Sequence, residues 1–542
     1  MDALNDRFEA SLSNTRDNDG SAKGWLRQGA RDEDDYNVAS QQPIRVRNHF
    51  FNPLTNSGLA SGKPASYWGI EFGKNISGQD YSFKDARGYF YDALTTQQPT
   101  GPTGREHYWA QTFYALGHVI HLIQDMAQPQ HTRNDTHLLA WVASRFNPAR
   151  ATLRFYEQYA DARATSVGLP YAGYEPAYRD ADTSTFTLPL DFWHRVGGKG
   201  MADYSNRGFV SADTNFCAAN PSVSCAGSTI PPSFLQPYDI LPHPGFPDPS
   251  GQSATVITES IRSLPPALYG GSLSSNVTGD IDFIETEVHD AYTGQRQQAR
   301  TSTYSIFDPD LQAANQQLTF TLNRYNFDDA LALLIPRAVG YSAGMINYFF
   351  RGAFSIYSLD GSDRGPFFVR NSTAEPMNGS FQMYWDDAAG NRQPVGLPQM
   401  IPVAAHSESP FEFAFAPDPT VSDYTVVFQG KLGDESGAVA ASRTWMNSSP
   451  IVVMNLPAGA VATDPQNDLV AYQWTIECGT EFSDGTILLY YPHLTNASGS
   501  LSGGGASIPA PGFQVPSTIH ECCLDIQVTD SQGGAGFGHG CE

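Results

Sequence analysis

The stretch Ala115-Leu-Gly-His-Val-Ile-His-Leu-Ile-Gln-Asp-Met-Ala-Gln-Pro-Gln-His131 decides the reading of this chain. It sets His121, Asp125 and His131 in the pattern His-x3-Asp-x5-His. Four residues make about one helical turn, so His121 and Asp125 project from one face roughly 6 Å apart. Pro129 stops the helix, and the chain turns back to present His131 from a loop. Two imidazoles and a carboxylate converging across a helix end offer neutral nitrogen and hard oxygen, a donor set that suits zinc.

The same helix carries more. Tyr114, His118, His121 and Asp125 follow a 4-3-4 spacing, so a polar stripe runs along one face. Phe113, Leu116, Val119, Ile120, Leu122 and Ile123 flank it, so the helix is buried and the stripe must be satisfied inside. A lone histidine on such a helix is ordinarily a hydrogen-bonded core residue. Here six of the 13 histidines (His49, His107, His118, His121, His131 and His137) fall between positions 49 and 137, which favours a metal-bound cluster.

At this point the sequence resembles the zinc-dependent phospholipase C superfamily, whose other branch is the single-strand-specific zinc nucleases. Its core motif, Leu-Gly-x3-His-x3-Asp-x3-Pro-x-His, is matched by Leu116-Gly117, His121, Asp125, Pro129 and His131. Asn48-His49-Phe50-Phe51-Asn52-Pro53 is similar to the upstream element that donates a zinc histidine. Gly29-Ala30-Arg31-Asp32-Glu33-Asp34 is similar to the earlier element that donates an aspartate. Phe155-Tyr156-Glu157-Gln158-Tyr159 resembles the helix carrying a glutamate ligand. The elements stand in the family's order from about residue 24 to residue 160.

The resemblance implies residue roles. Asp34, His49, His121 and Asp125 form one zinc site, with Asp125 bridging to a second metal. His131 and Glu157 belong to another site. Where the family has a histidine four residues before that glutamate, this chain has Leu153, and His137 is the substitute expected from the following loop. Asp135 is a weaker candidate, and both Asp135 and His118 are expected in supporting roles outside direct ligation. No histidine precedes His49, so the family's N-terminal zinc lacks a visible donor and the count is two ions, or three with another donor. The implied chemistry is phosphodiester hydrolysis, in which a metal-activated water attacks phosphorus and Asp34 accepts the proton.

Composition bounds the partners. The formal charge is −24, and the bases divide into six Lys and 26 Arg. An acidic chain opposes nonspecific binding to a polyanion, which needs clustered bases. A phospholipid or other phosphodiester is therefore favoured over nucleic acid, with a zinc nuclease or nucleotidase as the alternative. A second class of reading is a non-catalytic surface-binding protein with a closed, structural metal site. The six cysteines form two groups: Cys217 and Cys225 in a Pro/Ser/Asn-rich loop, and Cys478, Cys522, Cys523 and Cys541 near the end. An even count in such regions predicts disulfides and a secreted, extracellular or periplasmic setting. Met1-Asp-Ala-Leu-Asn-Asp-Arg has no apolar core of a signal peptide. Ala330–Phe350, interrupted by Pro336-Arg337, reads as a buried helix and not as a membrane span.

The length of 542 residues exceeds one core. Residues 1–354 are expected to form the all-α hydrolase-like domain. Its helices are expected at Tyr81–Leu94, Arg105–Met126, Ile281–Ala299, Leu311–Arg324 and Phe327–Phe350, with a Pro/Ser/Gly-rich surface excursion at about 205–280. After residue 355 the period shifts to β. Ser380–Trp385, Tyr424–Gln429, Gln473–Ile476, Thr486–Tyr491 and Leu524–Val528 read as strands. They predict two small β-sandwich-like domains, 355–450 and 451–542, the second containing the cysteines. These are candidates for binding a lipid or cell surface.

Overall fold

The computed structural model describes residues 20–34, 45–60, 62–76, 78–135, 156–166, 185–211, 215, 255–260, 279–290, 294–304, 320–358, 367–411, 423–445, 451–455, 459–463, 469–481, 487–502, 505–511, 521–530 and 535–541. The chain forms two compact units. One takes the described residues up to Ala93 together with Thr100–Arg351; the other takes Leu94–Pro99 and the chain from Gly352 on.

In the first unit, helix α1 (Ala22–Asp32) starts at Ser21, whose hydroxyl accepts from the Gly24 amide at 3.0 Å. Ala22, Trp25, Leu26 and Gly29 recur at helical spacing and form its buried face. That face packs on α4 (Arg105–Gln124), the helix of the 4-3-4 stripe. The two backbones meet at glycines. A Cβ on Gly29 would lie 2.0 Å from the Tyr114 carbonyl oxygen, and one on Gly117 would lie 2.3 Å from that of Leu26. Only residues without a side chain permit this approach. It brings the end of α1, where the acidic residues Asp32, Glu33 and Asp34 stand, alongside the stripe. The helices α2 (Ala65–Ile70) and α3 (Phe83–Thr95) lie between α1 and α4 in sequence.

Helix α4 stops at Gln124, and a 3-10 turn covers Asp125–Ala127. Pro129 then opens a one-turn helix, α5 (Pro129–Thr132), in the first-turn position where its missing N–H costs nothing. His131 is therefore presented from a short helix and not from the expected loop. Helices α6 (Tyr156–Ser166) and α7 (Met201–Gly208) follow. The long helix α8 (Arg324–Phe349) is capped by Asn323 and runs unbroken through Pro336. Buried Arg337, next to that proline, pairs with Asp290 and lies over the Tyr204 ring at 4.3 Å. No described helix is long and apolar enough to cross a membrane.

The first unit is helical but not all-α, a correction to the expectation. The helix expected at Ile281–Ala299 is two strands, β2 (Asp280–His289) and β3 (Arg296–Thr303), which pair antiparallel with β1 (Thr255–Ser260) in the order β1-β2-β3. The reason is local chemistry: Thr286 and Val288 are buried while Glu285, Glu287 and His289 are less so, and this alternation matches a strand. Phe283 and Ile284 are both buried, and two adjacent apolar residues mimic a helical cluster in the sequence; the bulge beside them lies in β3, at Thr301. The expected surface excursion at 205–280 is likewise corrected at both ends. Residues 205–211 are buried, and β1 belongs to the sheet. Of the helix expected at Leu311–Arg324, Thr321 instead forms a bridge with Thr303 and the helix begins only at Arg324; residues 311–319 lie outside the described residues.

The second unit is all-β, with small antiparallel sheets and two separate cores. In the first, the sheet β4-β5-β8 (Phe354–Ser358, Phe367–Asn371, Glu408–Phe411) shares Phe354, Val369, Met377, Phe381 and Phe428 with the sheet β10-β9-β6-β7 (Glu435–Trp445, Asp423–Leu432, Met377–Asp386, Arg392–Val403). In the second, β11-β12-β15 (Ile451–Asn455, Gly459–Thr463, Gly505–Pro509) meets β14-β13-β16-β17 (Ile487–Ser500, Leu469–Glu481, Glu521–Asp530, Ala535–Cys541) around Trp474, Ile508 and Ile526. Here the backbone register sets Cys478 opposite Cys522 and Cys523 opposite Cys541. Directly opposed positions of an antiparallel pair match the Cα spacing a disulfide requires. Cys217 and Cys225 lie outside the described residues.

Candidate metal centre

The packing of α1 on α4 sets three acidic residues against the stripe one for one. Tyr114 donates to Asp32 at 3.0 Å, His118 Nδ1 meets Glu33, and His121 Nε2 lies 3.4 Å from Asp34 Oδ2. His49 enters from a separate segment, the 3-10 turn Val46–His49. Its position is held by the flanking backbone: Ala65 N donates to Phe50 O at 2.9 Å, and Phe51 N donates to His131 O at 3.0 Å.

These elements gather Asp34, His49 and His121 so that one ligand atom of each lies within 4.8 Å of the others. Asp125 joins them. Its Oδ2 is 3.1 Å from His49 Nδ1 and 3.4 Å from His121 Nε2, while its Oδ1 is 3.5 Å from His131 Nδ1. His49 Nδ1 is also 3.3 Å from Asp34 Oδ1. One carboxylate thus touches two groups of imidazoles through its two oxygens. His49 and Asp125 are buried and His121 is largely so, while the Asp34 side chain is 50% exposed against 5% for Asp125.

The electrostatics follow from this crowding. Burial pushes the Asp125 carboxyl up, but His121, His131 and His49 outweigh it and hold the group well below the usual carboxylate range. Burial pushes His121 down, yet Asp125 and Asp34 bring it up to about 9. His49 is raised well above the ordinary imidazole value against its burial, chiefly by Asp125. Asp34 is lowered despite its desolvation, first by His121 and then by His49.

A divalent cation fits this set. His121 Nε2 and Asp125 Oδ2 are buried atoms without a hydrogen-bond partner, although both point into the cluster. Nitrogen and oxygen atoms that approach without aligned hydrogen bonds are arranged around a common centre, as ligands are. In the metal-free protein the charges of Glu33, Asp34 and Asp125 are met by Arg45 and by protonated His49 and His121, and a divalent cation would take the place of those two protons. The donors are imidazole nitrogen and carboxylate oxygen, which suit zinc.

Other expected residues are placed differently. His118 is buried on the same helix, but it faces Glu33 and the Tyr81 ring, stacked at 4.6 Å, and does not touch the cluster of ligand atoms. Burial lowers its pKa. Asp135 is buried just after α5, and its amide donates to Gln130 O at 3.0 Å. Glu157 is exposed in the first turn of α6. His137 lies outside the described residues.

Glu33 is the residue that the sequence reading passed over, although it stands beside Asp34 in the quoted motif. It is fully buried and contacts His49, His118, Trp68 and Arg45. The available signal was the run Asp32-Glu33-Asp34 at the end of an amphipathic helix, three acids matching three stripe residues.

No family model and no curated protein matches the chain. Among solved structures, it is similar to a tetra-tandem repeat in the extending region of a large adhesion protein (13% identity, TM-score 0.12, 50% of this chain and 58% of that one). It is also similar to red sea bream transglutaminase (14%, TM-score 0.16, 46% and 39%). The chain thus spans less than two thirds of either. A third is alpha toxin from Clostridium absonum (10%, TM-score 0.22, 81% of this chain and 94% of that one). Likenesses this loose carry no argument about fold or chemistry.

Proposed function

We propose that the first unit is a zinc-dependent phosphodiester hydrolase of the phospholipase C type. The observation that carries the reading is the convergence of Asp34, His49, His121 and Asp125 from three separate segments onto one buried point with a single exposed side. Asp34, His49, His121 and Asp125 would hold one ion, and Asp125 with His131 would reach toward a second. When bound, zinc supplies Lewis acidity, which activates water near neutrality and polarises a phosphoryl oxygen.

The protein's own groups do the rest. The burial of His49 and the backbone ties around Phe50 and Phe51 fix the donor positions. Asp34 stands at the open side, ionised, and is the group positioned to accept a proton from an incoming nucleophile. A closed structural site would bury every donor; the exposure of Asp34 favours the hydrolase. The acidic balance of the chain favours a phospholipid over nucleic acid.

The test is elemental analysis of protein expressed with zinc, followed by a hydrolysis panel of phosphatidylcholine, phosphatidylinositol, sphingomyelin and single-stranded DNA. Two zinc ions per chain and turnover of at least one phospholipid are expected. Less than one ion per chain, or no turnover of any substrate by zinc-loaded protein, would sink the reading.

A further inference from the structure

Glu33 is a buried carboxylate engaged through both of its oxygens. Its Oε1 accepts from Trp68 Nε1 at 3.0 Å and lies 3.3 Å from His49 Nε2. Its Oε2 is met by Arg45 Nη2 and His118 Nδ1. Arg45 is itself held, donating through Nη1 to Gly78 O at 3.1 Å and lying over the Trp68 ring at 5.3 Å. An indole and a guanidinium only donate, so both Glu33 oxygens act as acceptors here. A ring nitrogen in contact with such an oxygen must then carry the proton. For His49 that nitrogen is Nε2.

We propose that Glu33 is a positioning residue of the metal centre: by accepting from His49 Nε2–H, it leaves Nδ1 as the nitrogen that faces the metal. This rests on the metal reading above and assigns a role to a residue outside the ligand set. The geometry supports it from the other end of the ring, where Nδ1 is the atom lying 3.1 Å from Asp125 Oδ2 and 3.3 Å from Asp34 Oδ1. A cation bound between Nδ1 and these two oxygens would take the place of the proton that His49 otherwise holds there, while Glu33 keeps the one on Nε2. Arg45, Trp68 and His118 hold the Glu33 carboxylate, so the orientation of His49 is set before any ion arrives. A carboxylate behind a ligating imidazole both fixes the tautomer and raises its basicity. The rival reading is that Glu33 serves only to neutralise buried Arg45.

Full-length protein stripped of metal and titrated with zinc against a competing chelator separates the two, with cobalt(II) as a spectroscopic probe of the ligand set. Glu33→Gln keeps the shape but places an amide donor among four donors. Zinc affinity is expected to fall by about 10- to 100-fold, the usual range for such partners, and the visible cobalt spectrum to shift. If the variant folds and its zinc affinity and cobalt spectrum match the wild type, the positioning role is overturned and the counter-ion reading stands. Should Glu33→Gln fail to fold, Trp68→Phe decides. It leaves the Glu33–Arg45 pair and removes one donor from Oε1, so a smaller loss of affinity in the same direction is expected; unchanged affinity and spectrum overturn the proposal. Wild-type protein that takes up neither ion overturns the metal reading itself. Wild-type binding with insensitive variants overturns only the role of Glu33.

Discussion

Asp34 and Asp125 are both carboxylates of one cluster, yet their surroundings separate their work. Asp125 is buried and touches three imidazoles, so its charge holds the site together. Asp34 is half exposed, and in the proposed hydrolase it is the group that would meet a substrate-side proton. Asp125→Asn and His121→Ala should therefore lose zinc and phosphodiesterase activity in parallel. Asp34→Asn should lose activity much further than zinc occupancy. His118→Ala, which removes a partner of Glu33 and not a ligand, should keep zinc and lose at most about 10- to 100-fold in affinity or activity. Zinc content and turnover on one phosphodiester, measured for all four, check this ranking. Full activity in Asp125→Asn and His121→Ala would end the account.

Among the elements, the crossing of α1 and α4 matters most, because it aligns the acidic run with the stripe. Its closeness depends on Gly29 and Gly117, where an added Cβ would collide with carbonyl oxygens of the facing helix. Backbone cannot yield as a flexible side chain does. Gly117→Ala should destabilise the fold by at least the ~1–3 kcal/mol typical of overpacking. It should also weaken zinc binding by moving Asp34 away from His121. Thermal unfolding and zinc titration of the same variant test both effects. A folded Gly117→Ala protein with wild-type stability and zinc affinity would show that the crossing does not set the site. The β2–β3 pair teaches the opposite lesson: the adjacent buried residues Phe283 and Ile284 give a strand the look of helical spacing.

At the scale of the whole molecule, metal, protons and stability are linked. His121 is raised to about 9 in the metal-free protein because Asp125 and Asp34 outweigh its burial. A group raised on folding contributes stability that is full below its unfolded value, near 6.5, and is lost as pH climbs through the folded one. Metal-free protein should therefore lose thermal stability between about pH 6.5 and 9. Zinc requires the deprotonated imidazole, so its affinity should strengthen over the same window with release of protons. The rise in unfolding temperature given by zinc should accordingly grow from pH 6.5 to 9. Calorimetric scans with and without zinc read this directly, and an increment that shrinks with pH would contradict the linkage.

Some of this molecule is written locally, in spacing and residue type. His121 and Asp125 share a helix face because of a four-residue interval, and His118 is kept from the ligand cluster by lying one turn earlier. The β character of the chain after residue 355 follows from alternating apolar residues such as those of Ser380–Trp385 and Leu524–Val528. What spacing cannot carry is the meeting of segments distant in sequence. The approach of Asp34 and His49 to His121 depends on two glycines that let helices touch and on backbone bonds tying Phe50 and Phe51 to other segments. Glu33 and Asp34 are neighbours with the same charge, and nothing local tells which one points into the cluster. Tertiary packing decides it. The turn at the end of α1 buries Glu33 among Arg45, Trp68 and His118, and leaves Asp34 at the open side beside His49 and His121.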